Sequence, residues 1–263
     1  MLSKEAICEW LRGSQTQEVY VHEVLDSTNL ELKRLAREGE KPGTVVLAEA
    51  QMAGRGRLGR EFYSPKENGI YMSVLVRPEL DVSDLVLLTT ATSVAVCRGI
   101  DKLYDVNPKI KWVNDIYLSN RKVCGILAEA VTNPDTGKID GVVVGIGVNL
   151  RRQEFPDELR EIATSIEEQQ SGKEVSRSAL VAAILDEFWG IYEHLTERLF
   201  MEEYRQRSNV IGNEVRFLEN ETWQEARAID IDENGGLVVE YARGDGGKQK
   251  RTLHTGEITL RVK

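Results

Sequence analysis

Cysteine is scarce and carries no pattern. The 263 residues hold three, Cys8, Cys97 and Cys124, with no CxxC pair. An odd, widely spaced set argues against a secreted disulfide framework and against a zinc site, and points to a reducing, cytoplasmic setting. No metal site is assigned from the sequence. Long apolar runs are also missing: nothing approaches the roughly 20 residues that a membrane-spanning helix needs. The first ten residues carry Lys4, Glu5 and Glu9 among apolar neighbours, unlike a signal peptide. Neither an internal repeat nor a low-complexity tract is visible. Positive charge is the minority: 34 Lys and Arg stand against 43 Asp and Glu, a net charge of −9. That balance argues against broad binding to nucleic acid or anionic membrane, but leaves room for a small local basic site. With 41% hydrophobic and 29% charged residues, the chain has the composition of a folded protein large enough to bury a core without staples.

Periodicity suggests the following elements. Residues 2–12 read as a short amphipathic helix with Ser3 as its N-cap. Val19, Val21 and Val24 mark a strand ending near Asp26. A helix from Ser27-Thr28-Asn29 to Glu38 is stopped by Gly39. Strands follow at Thr44–Ala50 and Ile70–Val76, and Ser83 opens a helix with Leu87, Ala91, Val94, Ala95 and Ile100 on one face. Strand-like runs cover Lys109–Leu118, Lys122–Val131 and Gly141–Leu150. The last two are expected to pair as a hairpin around the turn composition at residues 133–137. Ser176 begins a long helical pattern through Leu180, Ile184, Phe188, Tyr192, Leu195 and Leu199. After about Asn209 come short strands at 214–219, 223–231, 236–242 and 257–262, which read as a small barrel or meander of ~50 residues that leans on its neighbour. Strands and helices mix without βαβ alternation, so the class is α+β. The expected division is 1–209 and 210–263.

Three segments hold chemistry. Gln51-Met52-Ala53-Gly54-Arg55-Gly56-Arg57-Leu58-Gly59-Arg60 follows directly on a strand and reverses the sign of an acidic chain. Glycines let a backbone approach a ligand, and arginines offer forked donors to phosphate or carboxylate. The segment is neither a P-loop nor a GxGxxG fingerprint. By composition alone, a nucleotide-phosphate loop and a solvated or nucleic-acid-binding loop are equally supported. Lys111-Trp112-Val113-Asn114-Asp115 and Arg121-Lys122-Val123-Cys124-Gly125 place polar groups inside apolar runs, where burial is costly unless they are paired or used. By itself the Asn-Asp pair reads as a turn flanked by solvated lysines. Asp26-Ser27-Thr28-Asn29 alone reads as a helix cap.

In this order, and with Gly145-x-Gly147-x-Asn149 following, the motifs together resemble the biotin protein ligases. Gly256-Glu257-Ile258-Thr259-Leu260 resembles that family's C-terminal SH3-like barrel. The resemblance spans essentially the whole chain. It implies a fold like class II aminoacyl-tRNA synthetases, the biotin/lipoate ligase catalytic domain, with a mixed sheet flanked by helices and the small barrel appended. It implies two steps: biotin and ATP give biotinyl-adenylate, and a lysine of a biotin carboxyl carrier domain then displaces AMP. Biotin is thus a substrate, with ATP and Mg²⁺ accompanying it. By analogy with the family, Ser27, Thr28, Asn29 and Gln51 bind the biotin ring system. Arg55, Gly56 and Arg57 close over biotin and adenylate, Gly125 admits the ligand to the backbone, and Lys122 contacts carboxylate and phosphate. Asn149 lies near the adenine, so the ATP set is Arg55, Arg57, Lys122 and Asn149. Lys111 and Asp115 join Arg57 and Lys122 as candidates at the reacting centre.

Two residues depart from the family pattern. Val113 stands where proline is usual, which frees a backbone donor, and Phe62 stands where Trp is common. Members that repress transcription carry an N-terminal DNA-binding domain of about 60 residues. Only about 25 residues precede Ser27 here, so no DNA binding is expected. A homodimer is compatible with the family's exposed strand edges. The alternatives to a biotin ligase are a lipoate–protein ligase of the same fold and a non-catalytic module that binds biotin or nucleic acid.

Overall fold

A computed structural model describes residues 2–13, 15–77, 85–133, 136–170, 174, 176–219, 222–242 and 247–254. Its elements are α1 (Lys4–Cys8), β1 (Glu18–Leu25), α2 (Thr28–Arg37), β2 (Thr44–Gln51), β3 (Gly69–Val76), α3 (Leu85–Leu103), β4 (Lys109–Lys111), β5 (Asp115–Leu118), β6 (Arg121–Thr132), β7 (Ile139–Asn149), α4 (Asp157–Arg160), α5 (Ile166–Gln169), α6 (Arg177–Tyr192), α7 (Met201–Arg207), β8 (Glu214–Glu219), β9 (Thr222–Ile231), β10 (Leu237–Ala242) and β11 (Lys248–Leu253).

Seven strands form one sheet in the order β1-β2-β3-β7-β6-β5-β4. β1 and β2 run parallel and the other neighbours antiparallel. This is the mixed sheet expected of an α+β chain. Side chains on a strand alternate between faces, and the two faces meet different partners. Val45, Leu47, Met72, Val74, Val144 and Ile146 join the large core under α3 and α6. Val46, Leu75 and Val143 face the other way, against Leu32 and Ala36 of α2. A separate antiparallel sheet, β11-β10-β9-β8, buries Val215, Phe217, Ala228, Ile231, Leu237 and Val239. It is tied to the first sheet where Trp112 Nε1 donates to Gly235 O at 2.8 Å. Among the described residues, no helix is long and apolar enough to cross a membrane.

Several expected elements change. The first helix stops at Cys8 because Arg12 and Gly13 turn their backbone N–H groups to Asp186 Oδ1 on α6, each at 3.1 Å. The run Lys109–Leu118 is not one strand. It is two strands folded on each other, with Lys111 opposite Asp115. Asn114 makes the turn, accepting from Ile126 N and donating from Nδ2 to Ile126 O, both at 2.9 Å. α6 ends at Tyr192, and Arg198 (φ +57°) breaks any continuation. Leu195 is still buried, but Leu199 is exposed. Four elements, α4, α5, α7 and β11, have no counterpart among the expectations. β11 carries Lys248, Lys250 and Arg251 among its six residues, and its pairing with β10 is what makes it a strand. The expected strand at 257–262, the motif at 256–260 and the helix start at Ser83 lie outside the described residues.

Candidate active site

α2 covers only half of its sheet face, and the bare half is the site. The rows facing α2 begin with Leu75, Val143 and Val131, packed under Leu32 and Ala36. One pleat further along, Ser73, Gly145 and Glu129 meet Asn29 at the helix start. Beyond that point the same rows continue past the start of α2 as Tyr71, Gly147, Leu127 and Gly125. A cleft of about 420 Å³ opens there. A side chain on the glycines of its floor would crowd the residues above them. A Cβ on Gly145 would lie 2.2 Å from Asn29 Oδ1, and one on Gly147 would lie 2.7 Å from the Phe62 ring.

The corner at the start of α2 is neutral and polar. Ser27 occupies the N-cap position but makes no side-chain capping bond, so its hydroxyl is not consumed by the helix. Thr28 donates to Gln51 Oε1 from its backbone N at 2.9 Å and from Oγ1 at 3.2 Å. Gln51 Nε2 in turn donates to Ser64 Oγ at 2.9 Å. Ser73 Oγ donates to Asn29 Oδ1 at 2.6 Å. Both Asn29 amide hydrogens are engaged, by Glu129 Oε2 at 2.8 Å and Leu127 O at 3.3 Å. Asn29 therefore faces a ligand only as an acceptor. Ser27, Thr28 and Asn29 are 3–4% exposed, and the side chains of Thr28 and Asn29 are held by protein partners.

The opposite end of the cleft is cationic. Lys122 Nζ pairs with Asp115 Oδ1 at 2.6 Å. Arg57 Nη1 donates to Asn114 Oδ1 at 3.1 Å. Burial pushes the Arg57 guanidinium and the Lys111 ammonium down from their usual values, against the pull of Asp115. Lys111 Nζ lies 5.2 Å from the centre of the Tyr117 ring. Cations held out of water in this way act strongly on an incoming anion.

The glycine–arginine segment forms a tight turn over the cleft. Phe62 N donates to Gly54 O at 2.9 Å and Gly56 N to Arg60 O at 2.7 Å. A Cβ on Gly54 would lie 2.3 Å from Phe62 O.

Ser27, Thr28, Asn29, Gln51, Arg55, Gly56, Arg57, Lys111, Asp115, Lys122, Gly125 and Asn149 all line this one cleft. The structure adds Arg60, Asn114 and Tyr117 to its wall, with Glu129 behind Asn29. The signal for Glu129 was an acidic residue within an apolar strand. Nothing in the sequence named its partners.

Comparison with known proteins decides the family. Residues 21–149 match the "Biotin/lipoate A/B protein ligase family" and residues 210–261 the "Biotin protein ligase C terminal domain". The "Bifunctional ligase/repressor BirA" of Bacillus subtilis is 34% identical over 236 residues, which cover 87% of this chain and 71% of that protein. The chain belongs to the biotin protein ligase family. The "Biotin--[acetyl-CoA-carboxylase] ligase" of Mycobacterium tuberculosis is 32% identical, over 87% of this chain and 85% of that one. Among solved structures, a biotin protein ligase from Aquifex aeolicus in complex with biotin and ATP has a TM-score of 0.80 at 26% identity, covering 94% of this chain and all of that one. The expected family, fold class and enzyme class therefore hold. At Val113, where the resemblance leads one to expect proline, the Trp112–Val113 peptide is cis. The Val113 carbonyl accepts from the buried Tyr204 hydroxyl at 3.0 Å.

Proposed function

We propose that this chain joins biotin to a lysine of a biotin carboxyl carrier domain in two steps, within the cleft described above. A carboxylate oxygen of biotin attacks the α-phosphorus of ATP, the bond to the β-phosphate breaks, and pyrophosphate leaves. The lysine amine then attacks the acyl carbon of the mixed anhydride, forming an amide and releasing AMP. One observation carries this reading: a neutral hydrogen-bonding corner and a cationic end share one glycine-floored cleft. The first suits an uncharged polar ring system. The second suits the phosphate and carboxylate that must be brought together against their repulsion.

In this reading Ser27, Thr28, Asn29 and Gln51 hold the biotin rings, with Asn29 accepting. Arg55, Arg57 and Lys122 neutralise charge as it develops on the phosphate and keep the reacting groups in line. Gly56 and Gly125 bring the backbone close, Asn149 meets the adenine, and Lys111 lies beside the reacting centre. Asp115 holds Lys122 in place and takes up the proton of the incoming lysine. Among the described residues no group of three or more His, Cys, Asp or Glu side chains could cage a metal. Magnesium would then enter with ATP, held mainly by its phosphates and at most one or two carboxylates. Residues 1–209 supply the cleft and 210–263 the appended barrel. Free Cys8, Cys97 and Cys124 fit a cytoplasmic setting.

Biotin-dependent exchange between ATP and pyrophosphate tests the first step. It should appear with biotin and be absent with lipoate. Labelled biotin should then pass to a purified carrier domain. Exchange supported by lipoate instead would assign the chain to the other branch of the fold.

A further inference from the structure

Glu129 stands between the polar corner and the glycine–arginine loop. Its Oε2 accepts from Asn29 and its Oε1 from Lys33 Nζ, each at 2.8 Å. Arg55 Nη2 reaches the same Oε1 at 3.3 Å. Burial pushes the Glu129 carboxyl up, but Lys33 and Asn29 outweigh it and hold the group below its ordinary range. Two cations thus share one carboxylate, and they are not equivalent. Lys33 is the closer, with 16% of its side chain exposed against 45% for Arg55.

This inequality has a consequence for Arg55. A buried carboxylate that loses its sole cation is left with a large uncompensated cost. Glu129 does not face that cost, because Lys33 stays when Arg55 goes. A phosphate in the cleft offers Arg55 a forked, doubly hydrogen-bonded partner, better than a shared carboxylate oxygen at 3.3 Å.

We propose that the Glu129–Lys33 pair is an exchangeable rest position for Arg55, from which the guanidinium transfers to the phosphate of bound nucleotide. This rests on the ligase reading. Glu129 and Lys33 are then positioning residues of opposite sign: Glu129 retains the arginine, and Lys33 makes its release inexpensive.

The signs give the test. Glu129→Gln keeps an acceptor for Asn29 but removes the charge that holds Arg55. The ligand-free loop should be cut by trypsin at Arg55 faster, and the KM for ATP should fall. Lys33→Met leaves Arg55 as the sole cation of Glu129, so cleavage should slow and the KM for ATP should rise. Each change should be roughly two- to fivefold, the scale of a half-exposed ion pair. Glu129→Gln combined with Lys33→Met leaves no unpaired lysine and should follow Glu129→Gln. With biotin and ATP bound, all four proteins should resist trypsin equally. Shifts of KM in the same direction for both single variants, no shift in either, or differences in cleavage that persist with ligands bound would overturn the proposal. If the wild-type protein shows no biotin-dependent exchange, the ligase reading fails by itself, and trypsin cleavage of the ligand-free variants still decides whether Glu129 holds Arg55.

Discussion

Phe62 stands over Gly147, with the ring only 2.7 Å from where a Cβ on that glycine would be. A Cβ on Gly125, paired with Gly147 across β6 and β7, would lie 3.4 Å from the same ring. One aromatic side chain therefore roofs a two-glycine floor, steadied by an edge-on contact with Tyr71 at 6.4 Å between ring centres. Gly147→Ala should push the ring away. Overpacking of this kind costs about 1–3 kcal/mol, to be read from denaturant unfolding, and the KM for biotin or ATP should rise. Phe62→Leu in the same chain should recover part of both losses. An additive double-mutant cycle would show that the two residues do not interact.

Arg57 and Lys122 carry the proposed stabilisation of the α-phosphate. Arg57→Ala and Lys122→Ala should each slow adenylation by about 10²–10³-fold, the usual effect of removing one charged or hydrogen-bonding group from a transition state. The thermal melt should stay cooperative, because both side chains are only half-buried and line the cleft and not the apolar core. Exchange at near wild-type rate in either variant would remove the role given to that residue.

Lys111 should give the reaction an alkaline limb. Burial holds its ammonium pKa below the ordinary 10.5, so the proton is lost at a lower pH in the folded protein than in the unfolded chain. At pH values below the folded pKa the charge is present and favours phosphate binding, while its burial costs stability. As pH rises through that value the charge disappears: ATP binding weakens and the stability cost is relieved. The KM for ATP should therefore rise with pH before an exposed lysine would titrate. Lys111→Arg should move the limb to higher pH, and Lys111→Met should abolish it. A profile unchanged in both variants would exclude Lys111 from the phosphate site.

Tyr204 fixes the β4–β5 turn from behind, its hydroxyl fully buried against Val113 O. Tyr204→Phe leaves that carbonyl without its donor, at a cost of about 1–3 kcal/mol. The turn carries Lys111 and Asp115, so kcat for adenylation should fall along with the denaturation midpoint. Loss of stability with unchanged kcat would limit Tyr204 to a structural role.

Much of the chain was readable from local pattern, and the exceptions share a cause. Thr28–Arg37 was visible because the cap-type residues Ser27, Thr28 and Asn29 open it and Gly39 (φ +99°) ends it. β2, β3, β6 and β7 were visible as apolar strands. The cap-like Ser27 was legible as a helix start, but not as a hydroxyl that the helix leaves unused. Lys109–Leu118 was read as one strand-like run although its Asn114-Asp115 pair by itself reads as a turn, and the bonding of Asn114 to Ile126 that fixes this turn is not local. β11 was missed because its charged residues have meaning only beside β10. Glu129 was overlooked because its partners are remote: Asn29 is 100 residues away and Arg55 is 74.

The order of the glycine, arginine and lysine motifs was enough, unaided, to name the family and collect the residues that line the cleft. Hydrogen-bonding and charge types are written in the residues themselves, and strand and helix periods are short-range. Folding in three dimensions decided how those residues are used. Asn29 became an acceptor, Arg57 came to donate to Asn114, and Arg55 came to share Glu129 with Lys33. Each of these outcomes depends on which side chains the pleat of β3, β6 and β7 sets opposite the first turn of α2, and separation along the chain holds no record of that.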